Sequence, residues 1–206
     1  MIGALLKRAL DVIVSLVGLI ILSPAFALIS LAVKLDSQGP AFYRGTRTGR
    51  FGKPFIIYKF RTMIVALEGK GGLTTALNDP RVTRIGRILR RLKLDELPQL
   101  INVLKGEMSI VGPRPEMLEY TRLYNHQEEI ILSVKPGITD YASLEFINLA
   151  GAVGEKDADA VYFEKVWARK NQLRVKYARE HTFFKDMVIL WRTVGALLKS
   201  GSRRLW

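Results

Sequence analysis

Asp95 and Glu96 are adjacent carboxylates in strongly basic surroundings. Two neighbouring carboxylates repel, so one is protonated unless a cation neutralises them. Nearby arginines supply such cations. So does Mg2+, which favours one or two carboxylates together with substrate phosphates. The run Leu94-Asp95-Glu96-Leu97-Pro98 predicts a helix start continuing to about Lys105, with Asp95 as N-cap and Pro98 in the first turn. A carboxylate there sits in positive potential, which lowers its pKa and keeps it ionised. An ionised Asp is a competent nucleophile toward phosphorus, and the same helix start stabilises phosphoryl charge. Lys59, Arg90, Arg114 and Lys135 are the cations this reading brings to the pair, arginine matching phosphate oxygens bidentately. The alternative is structural: Asp95 a cap, Glu96 an exposed first-turn acid, and the arginines a solvated face.

Other elements must hold these residues in place. Phe42-Tyr43 and Phe55-Ile56-Ile57-Tyr58 flank a Gly/Arg/Lys-rich turn, Gly45 to Pro54, and predict a β-hairpin within Ala41–Met63. Gly69, Gly71, Gly72 and Asn78-Asp79-Pro80 make residues 64–80 a mobile loop. From Arg81 to Leu92 the spacing of Ile85, Ile88, Leu89 and Leu92 predicts an amphipathic helix with Arg84, Arg87, Arg90 and Arg91 on its other faces. Two prolines stiffen the loop Gly112-Pro113-Arg114-Pro115-Glu116 and hold Arg114 extended. Residues 116–133 read as helical, Lys135-Pro136-Gly137 as a turn, 138–148 as extended, and Asp157 to Glu180 as a long polar helix. Phe183 to Leu198 is apolar over a wide face but carries Lys185 and Arg192, with Lys199, Arg203, Arg204 and Trp206 beyond it. That pattern suits a helix lying in a membrane interface; periodicity slightly favours docking on the core.

The chain of 206 residues has a formal net charge of +13 and no cysteine. Thiolate metal sites and disulfides are therefore excluded, and with only His126 and His181 so is a His-rich metal site. Residues 1–36 hold Lys7, Arg8 and Lys34 against Asp11 and Asp36, so +12 falls on the remainder. An excess of that size implies an anionic partner: nucleic acid, acidic headgroups or a phosphorylated substrate. Val12 to Val33 is an uncharged run of 22 residues, about 33 Å as a straight helix and near the hydrocarbon thickness of a bilayer. Ser23-Pro24 interrupts it. Two legs of roughly 16 Å reach mid-bilayer and return. The apolar run is too long for a signal peptide and no clean cleavage pattern comes after it, so the segment is read as retained. Lys7 and Arg8 favour a cytoplasmic N-terminus, and the basic segment after residue 43 favours the same side for the C-terminal part of the chain. One spanning helix cannot satisfy both; a re-entrant hairpin can, with the Ser23 hydroxyl satisfying a carbonyl freed by Pro24. A signal-anchor helix with a tolerated proline is the alternative.

Four ordered blocks carry a resemblance: Ile57-Tyr58-Lys59-Phe60-Arg61-Thr62-Met63, the run Leu94 to Ser109, Val111-Gly112-Pro113-Arg114-Pro115, and Lys135-Pro136-Gly137-Ile138-Thr139. Together they resemble the bacterial sugar transferases, more narrowly the small monotopic phosphoglycosyl transferases, from the N-terminal segment to about residue 140. The resemblance implies a mainly helical α+β fold. Residues 1–36 would form a re-entrant helix-break-helix hinged at Ser23 and Pro24, in the inner leaflet of the bacterial cytoplasmic membrane. Residues 37–206 would form the catalytic domain, facing the cytoplasm. It implies transfer of a phospho-sugar from a UDP-sugar to a polyprenyl phosphate such as undecaprenyl phosphate, with release of UMP. Asp95 would be the nucleophile, forming a covalent phospho-sugar intermediate. Glu96 would help hold Mg2+ beside Asp95, and Lys59, Arg90, Arg114 and Lys135 would bind phosphate. Two departures stand out. Lys135 occupies a position where many relatives have Arg, and Asp140-Tyr141-Ala142-Ser143-Leu144-Glu145-Phe146 replaces the usual continuation, in a stretch expected to shape the sugar pocket. Two other classes compete. A membrane-anchored nucleic-acid-binding protein has only the charge in its favour, its aromatics not being interleaved as a stacking platform, so no nucleic-acid partner is expected. A catalytically inactive scaffold for glycan assembly has no need of the Asp95-Glu96 pair.

Overall fold

Two N-terminal helices, α1 (Ile2–Ile21) and α2 (Ser23–Asp36), meet at a bend of 63°. Pro24 cannot donate to the Ile20 carbonyl, and the Ser23 hydroxyl donates to it instead at 2.8 Å. Among the described residues no single helix is long and apolar enough to cross a membrane, but this bent pair passes that test of length and composition jointly. The computed structural model describes residues 2–65, 74–76, 78–154 and 157–203, and not the side chains of residues 150 and 200–203. Gly69, Gly71 and Gly72 of the expected loop, and Arg204 and Trp206, lie outside the described residues.

The polarity of α1 is inverted. Asp11 and Ser15 are buried, whereas Ile13, Leu16, Val17 and Ile20 are exposed. Asp11 accepts hydrogen bonds from the Ser109 hydroxyl (3.1 Å) and the Ile110 amide (2.9 Å). Lys7 donates to Asp186 at 2.6 Å and to the Val111 carbonyl at 2.8 Å. Arg8 donates to the carbonyls of Val103 and Leu104. The polar stripe thus faces the protein and the apolar stripe faces outward.

The hairpin forms as expected, with longer strands. β1 (Phe42–Thr48) pairs antiparallel with β2 (Pro54–Phe60), Phe42 opposite Phe60 and Thr48 opposite Pro54. Gly45 is therefore a strand residue. Arg61, just past β2, donates to the carbonyls of Val33, Ser37 and Gln38 and satisfies the C-terminal end of α2. Helix α3 (Arg84–Leu92) starts later than Arg81, because Thr83 caps it by accepting from the Gly86 amide at 3.0 Å. Ile85 and Leu89 pack with Phe60 and Val33, but Ile88 and Leu92 are exposed and not core as their spacing suggested.

Lys93 adopts φ 59° and turns the chain into a 3-10 turn, Leu94–Glu96, before α4 (Gln99–Lys105). Asn102 of α4 ties this helix to β2, accepting from the Tyr58 amide and donating to the Ile56 carbonyl. β3 (Ser109–Val111) pairs in parallel with β4 (Gly137–Thr139), a second two-stranded sheet. Between them residues 116–133 are not one helix. Only α5 (Leu118–Thr121) and a 3-10 turn, Glu129–Ser133, form, because Asn125 accepts from the amides of Gln127 and Glu128 and breaks the run. The stretch expected to be extended contains helix α6 (Tyr141–Glu145), capped by Asp140, which accepts from the Ser143 amide at 2.7 Å. Then come α7 (Leu149–Val153), α8 (Ala158–Val161), a π-helical turn Tyr162–Trp167, α9 (Ala168–Glu180) and α10 (Phe183–Arg203). Apart from its π turn, the long polar helix is as expected.

The core gathers Ile57, Leu100, Val103, Met108, Tyr177 and Ile189. Helix α10 satisfies both readings of its sequence: Ile189 and Asp186 are buried, while Phe184, Trp191 and Leu198 are at least 71% exposed. The fold is mainly helical α+β.

Candidate active site

The turn Leu94–Glu96 contributes Asp95 and Glu96 to a cleft of about 510 Å³ that is also lined by Lys59, Arg90 and Arg114, with Arg47, Arg87 and Arg91 on its wall. Three segments deliver these side chains. Lys59 comes from the end of β2. Arg90 comes from α3, its guanidinium fixed by donating to the Thr62 hydroxyl at 2.8 Å. Gly86 allows this approach, since a Cβ there would collide with the Thr62 backbone. Arg114 comes from the proline-stiffened loop, which is seated where Gly112 and Gly137 pack backbone to backbone with no room for a Cβ on either.

The two carboxylates differ. Glu96 accepts from Lys59 at 2.9 Å, and Arg114 grips both of its oxygens, one of them at 2.5 Å. Burial opposes ionisation of Glu96, but Arg114 and Lys59 override it and hold the carboxyl well below the usual range. Burial lowers the Lys59 pKa despite Glu96, and lowers that of Arg90. Glu96 keeps Arg114 firmly protonated against the cost of its burial. Asp95 is 8% exposed and interacts with Lys59, Arg90 and Arg114 through space, without a hydrogen bond from another described residue. Burial raises its pKa, the Glu96 charge raises it further, and the three cations only partly offset this.

This corrects the sequence expectation. Asp95 caps no helix; the turn it occupies is three residues long, and desolvation and Glu96 outweigh any helix-end potential. The result is one carboxylate committed to orienting cations and one left basic.

Lys59, Arg90 and Arg114 are brought together with Asp95 and Glu96; Lys135 is not. Its ammonium lies beside Gly106 and Arg8, and the charges it feels are those of Arg8, Asp11, Arg50 and Lys7. Ser23 and Pro24 lie at the α1–α2 bend. Among the described residues no group of three or more His, Cys, Asp or Glu could hold a metal ion. Asp95 and Glu96 offer two carboxylates, the pattern Mg2+ accepts when phosphates and water complete its shell.

Sequence reasoning missed the far wall of the cleft. Glu116, next to Pro115, accepts from Lys170 at 2.9 Å and pairs with Arg174 at 2.8 Å, and Tyr162 donates to it at 3.3 Å. Lys170 and Arg174 sit one turn apart on α9, a spacing that gave no sign of a partner 54 residues away. Burial lowers the Lys170 pKa to about 8 despite Glu116. Of the segment that departs from the resembled family, Ala142, Ser143, Leu144 and Phe146 line an apolar groove that adjoins the cleft.

The chain matches the family described as bacterial sugar transferase over residues 2–200. It is 42% identical over 196 residues to UDP-glucose:undecaprenyl-phosphate glucose-1-phosphate transferase of Escherichia coli (strain K12), covering 94% of this chain and 40% of that protein. It is 39% identical over 196 residues to undecaprenyl-phosphate glucose phosphotransferase of Komagataeibacter xylinus, covering 91% of this chain and 35% of the relative. Exopolysaccharide production protein ExoY of Rhizobium meliloti (strain 1021) is 34% identical over 214 residues, covering 97% of this chain and 88% of ExoY. The chain therefore spans well under half the length of the first two relatives.

Proposed function

The chain belongs to the bacterial sugar transferase family, and from that membership we propose that it transfers a phospho-sugar from a UDP-sugar to a polyprenyl phosphate. The observation that carries this reading is the division of labour between Asp95 and Glu96 in a cleft rich in arginine. A buried carboxylate with a raised pKa is, once ionised, more basic and more nucleophilic than an ordinary one. In the proposed first step an Asp95 oxygen bonds to the β-phosphorus of the donor, and the bond from that phosphorus to the bridging oxygen breaks. UMP leaves with that oxygen and the electron pair. In the second step a phosphate oxygen of the acceptor attacks the same phosphorus. The aspartyl–phosphorus bond breaks, the carboxylate is restored, and the polyprenyl diphosphate-linked sugar departs.

Lys59, Arg90 and Arg114 are suited to neutralising the charge that builds on the phosphoryl oxygens. Glu96 keeps two of these cations aimed at the reacting group. Asp95 and Glu96 would hold Mg2+ together with the donor diphosphate, and the ion would supply further charge neutralisation there. The inverted polarity of α1 and the bent helix pair support a re-entrant anchor in the inner leaflet, which keeps the cleft at the depth of a lipid phosphate on the cytoplasmic face of the bacterial membrane. A nucleic-acid site gains nothing from this geometry, since the carboxylates Asp95, Glu96 and Glu116 line the basic cleft.

The test is intact-mass spectrometry of enzyme quenched with a UDP-sugar and no acceptor. A panel of UDP-sugars should reveal one that leaves a phospho-sugar adduct on the protein with release of UMP, and Asp95→Asn should abolish both. Product accumulating without an adduct, or substantial turnover by Asp95→Asn, would defeat the proposal.

A further inference from the structure

A second cavity, of about 360 Å³, adjoins the cleft on the side of α1 and α10. Its walls are apolar: Val14, Leu100, Ile138, Leu144, Phe146 and Leu197. Its inner end is polar, because Glu96, Arg114 and Lys170 line both cavities. Asp95 faces the polar cleft alone. The outer end is framed by two helices whose outward faces are apolar, with Ile13 and Val17 exposed on α1 and Val194 and Leu198 exposed on α10.

We propose that this groove receives the isoprenoid chain of the acceptor next to its phosphate, so that the segment Ala142–Phe146 selects the acceptor lipid and not the sugar. The inference rests on the reading of the acceptor as a polyprenyl phosphate. A molecule with one anionic head and a long apolar chain needs a site that is apolar along its length and cationic at one end. The groove has that polarity, with Arg114 and Lys170 at its inner end. A sugar or a uridine fits it poorly, because their hydroxyl and amide groups would lose water against Leu and Phe without gaining partners. The polar cleft, in turn, sets Lys59, Arg87, Arg90, Asp95 and Glu96 among its apolar residues, and a lipid chain there would strip water from those charges. The shared end opens the groove onto the cleft at the Glu96–Arg114 pair, so that once UMP has left, the acceptor phosphate can enter from the groove and take the side of the phosphorus opposite Asp95, as in-line displacement requires. The departure at 140–146 then has a direct consequence: Asp140 caps α6, and the short helix carries Ala142, Ser143 and Leu144 into the groove wall.

The experiment separates the two half-reactions. Ser143→Trp and Leu197→Trp each narrow the groove from a partly exposed position. Each should raise the KM for undecaprenyl phosphate about tenfold, equivalent to about 1.4 kcal/mol. The single-turnover release of UMP without acceptor should keep its amplitude. The preference for undecaprenyl phosphate over geranyl phosphate should narrow. An acceptor KM within about twofold of the parent, or a loss of the UMP burst in its place, would overturn the assignment. A readout independent of both variants uses the unmutated protein in vesicles: an isoprenyl phosphate bearing a diazirine in its first isoprene units should label the peptide spanning 138–149. Labelling confined to other peptides would overturn the groove even if the variants fail to fold. Absence of a UMP burst with every UDP-sugar would instead defeat the catalytic reading, leaving the crosslink to decide the groove.

Discussion

Glu96→Gln tests the division of labour between the two carboxylates. The carboxylate holds three charge-assisted contacts, one from Lys59 and two from Arg114, and its side chain is 14% exposed. With its oxygen at the Oε1 position, glutamine keeps the Lys59 contact and one from Arg114 and turns its NH2 toward the other Arg114 nitrogen. One charge-assisted contact of about 1.5–3 kcal/mol is lost and the other two lose their charged acceptor, so the cost falls in the range of ~3–5 kcal/mol for breaking a buried ion pair. Arg114 is 33% exposed and recovers some hydration, which favours the lower half of that range. For a chain of 206 residues, at about 2–4 °C per kcal/mol, a loss of ~3 kcal/mol lowers Tm by about 6–12 °C. The same change removes a negative neighbour from Asp95, so the Asp95 pKa falls and the acid limb of the kcat profile moves to lower pH. Thermal melts, the pH profile and a Mg2+ titration read the three consequences separately. A variant that melts within about 2 °C of the parent, with only its Mg2+ dependence altered, would refute the claim that Glu96 is chiefly an orienting group for Lys59 and Arg114.

Glu116 has its pKa held far below the ordinary value: burial opposes this, but Lys170 and Arg174 prevail. The stability it contributes is therefore complete above its unfolded pKa and lost as pH falls through the folded one; melts between pH 5 and 3 should fall more steeply for the parent than for Glu116→Gln, and parallel slopes would contradict this. Pro24→Ala restores an N–H for the Ile20 carbonyl and should straighten the α1–α2 bend. With no native cysteine, Lys34→Cys reports the outcome through an impermeant thiol reagent: labelling should move to the opposite membrane face, and unchanged labelling would contradict the hinge. Lys135→Ala should leave both substrate KM values within about twofold, because Lys135 lies outside the cleft; a tenfold rise in donor KM would contradict its placement.

The chemistry was legible in the sequence wherever chain-local features decide it. Ser23-Pro24 announces a bend, because the missing N–H and the hydroxyl that replaces it are both local. Thr83 capping α3 and Asp140 capping α6 are equally local, but a helix start set at Arg81 hid the first and the extended chain expected over 138–148 hid the second. Lys59 and Arg114 stand in two of the blocks that carry the resemblance and Arg90 on the amphipathic helix between those blocks, and they meet because β2, α3 and the proline loop converge. Quantities set by tertiary packing were not legible. The raised pKa of Asp95 depends on burial and on Glu96 taking Arg114 and Lys59 for itself. The placement of the Lys135 ammonium beside Gly106 and Arg8 depends on segments far from it in the chain. The Glu116–Lys170–Arg174 cluster joins the proline loop to α9, and periodicity carries no trace of such a pairing.

The contact between Lys7 and Asp186 spans 179 residues. The partners are thus made at opposite ends of synthesis, and at about 5–20 residues per second the ammonium waits roughly 9–36 s for its carboxylate. Throughout that interval the first helix carries a charge that its apolar flanks would draw into lipid. In the proposed re-entrant anchor, Arg8 and Asp11 find their partners at residues 103–110, and the Lys7 charge is neutralised only once Asp186 has been made. Premature termination upstream of residue 186 should leave chains with that lysine unneutralised.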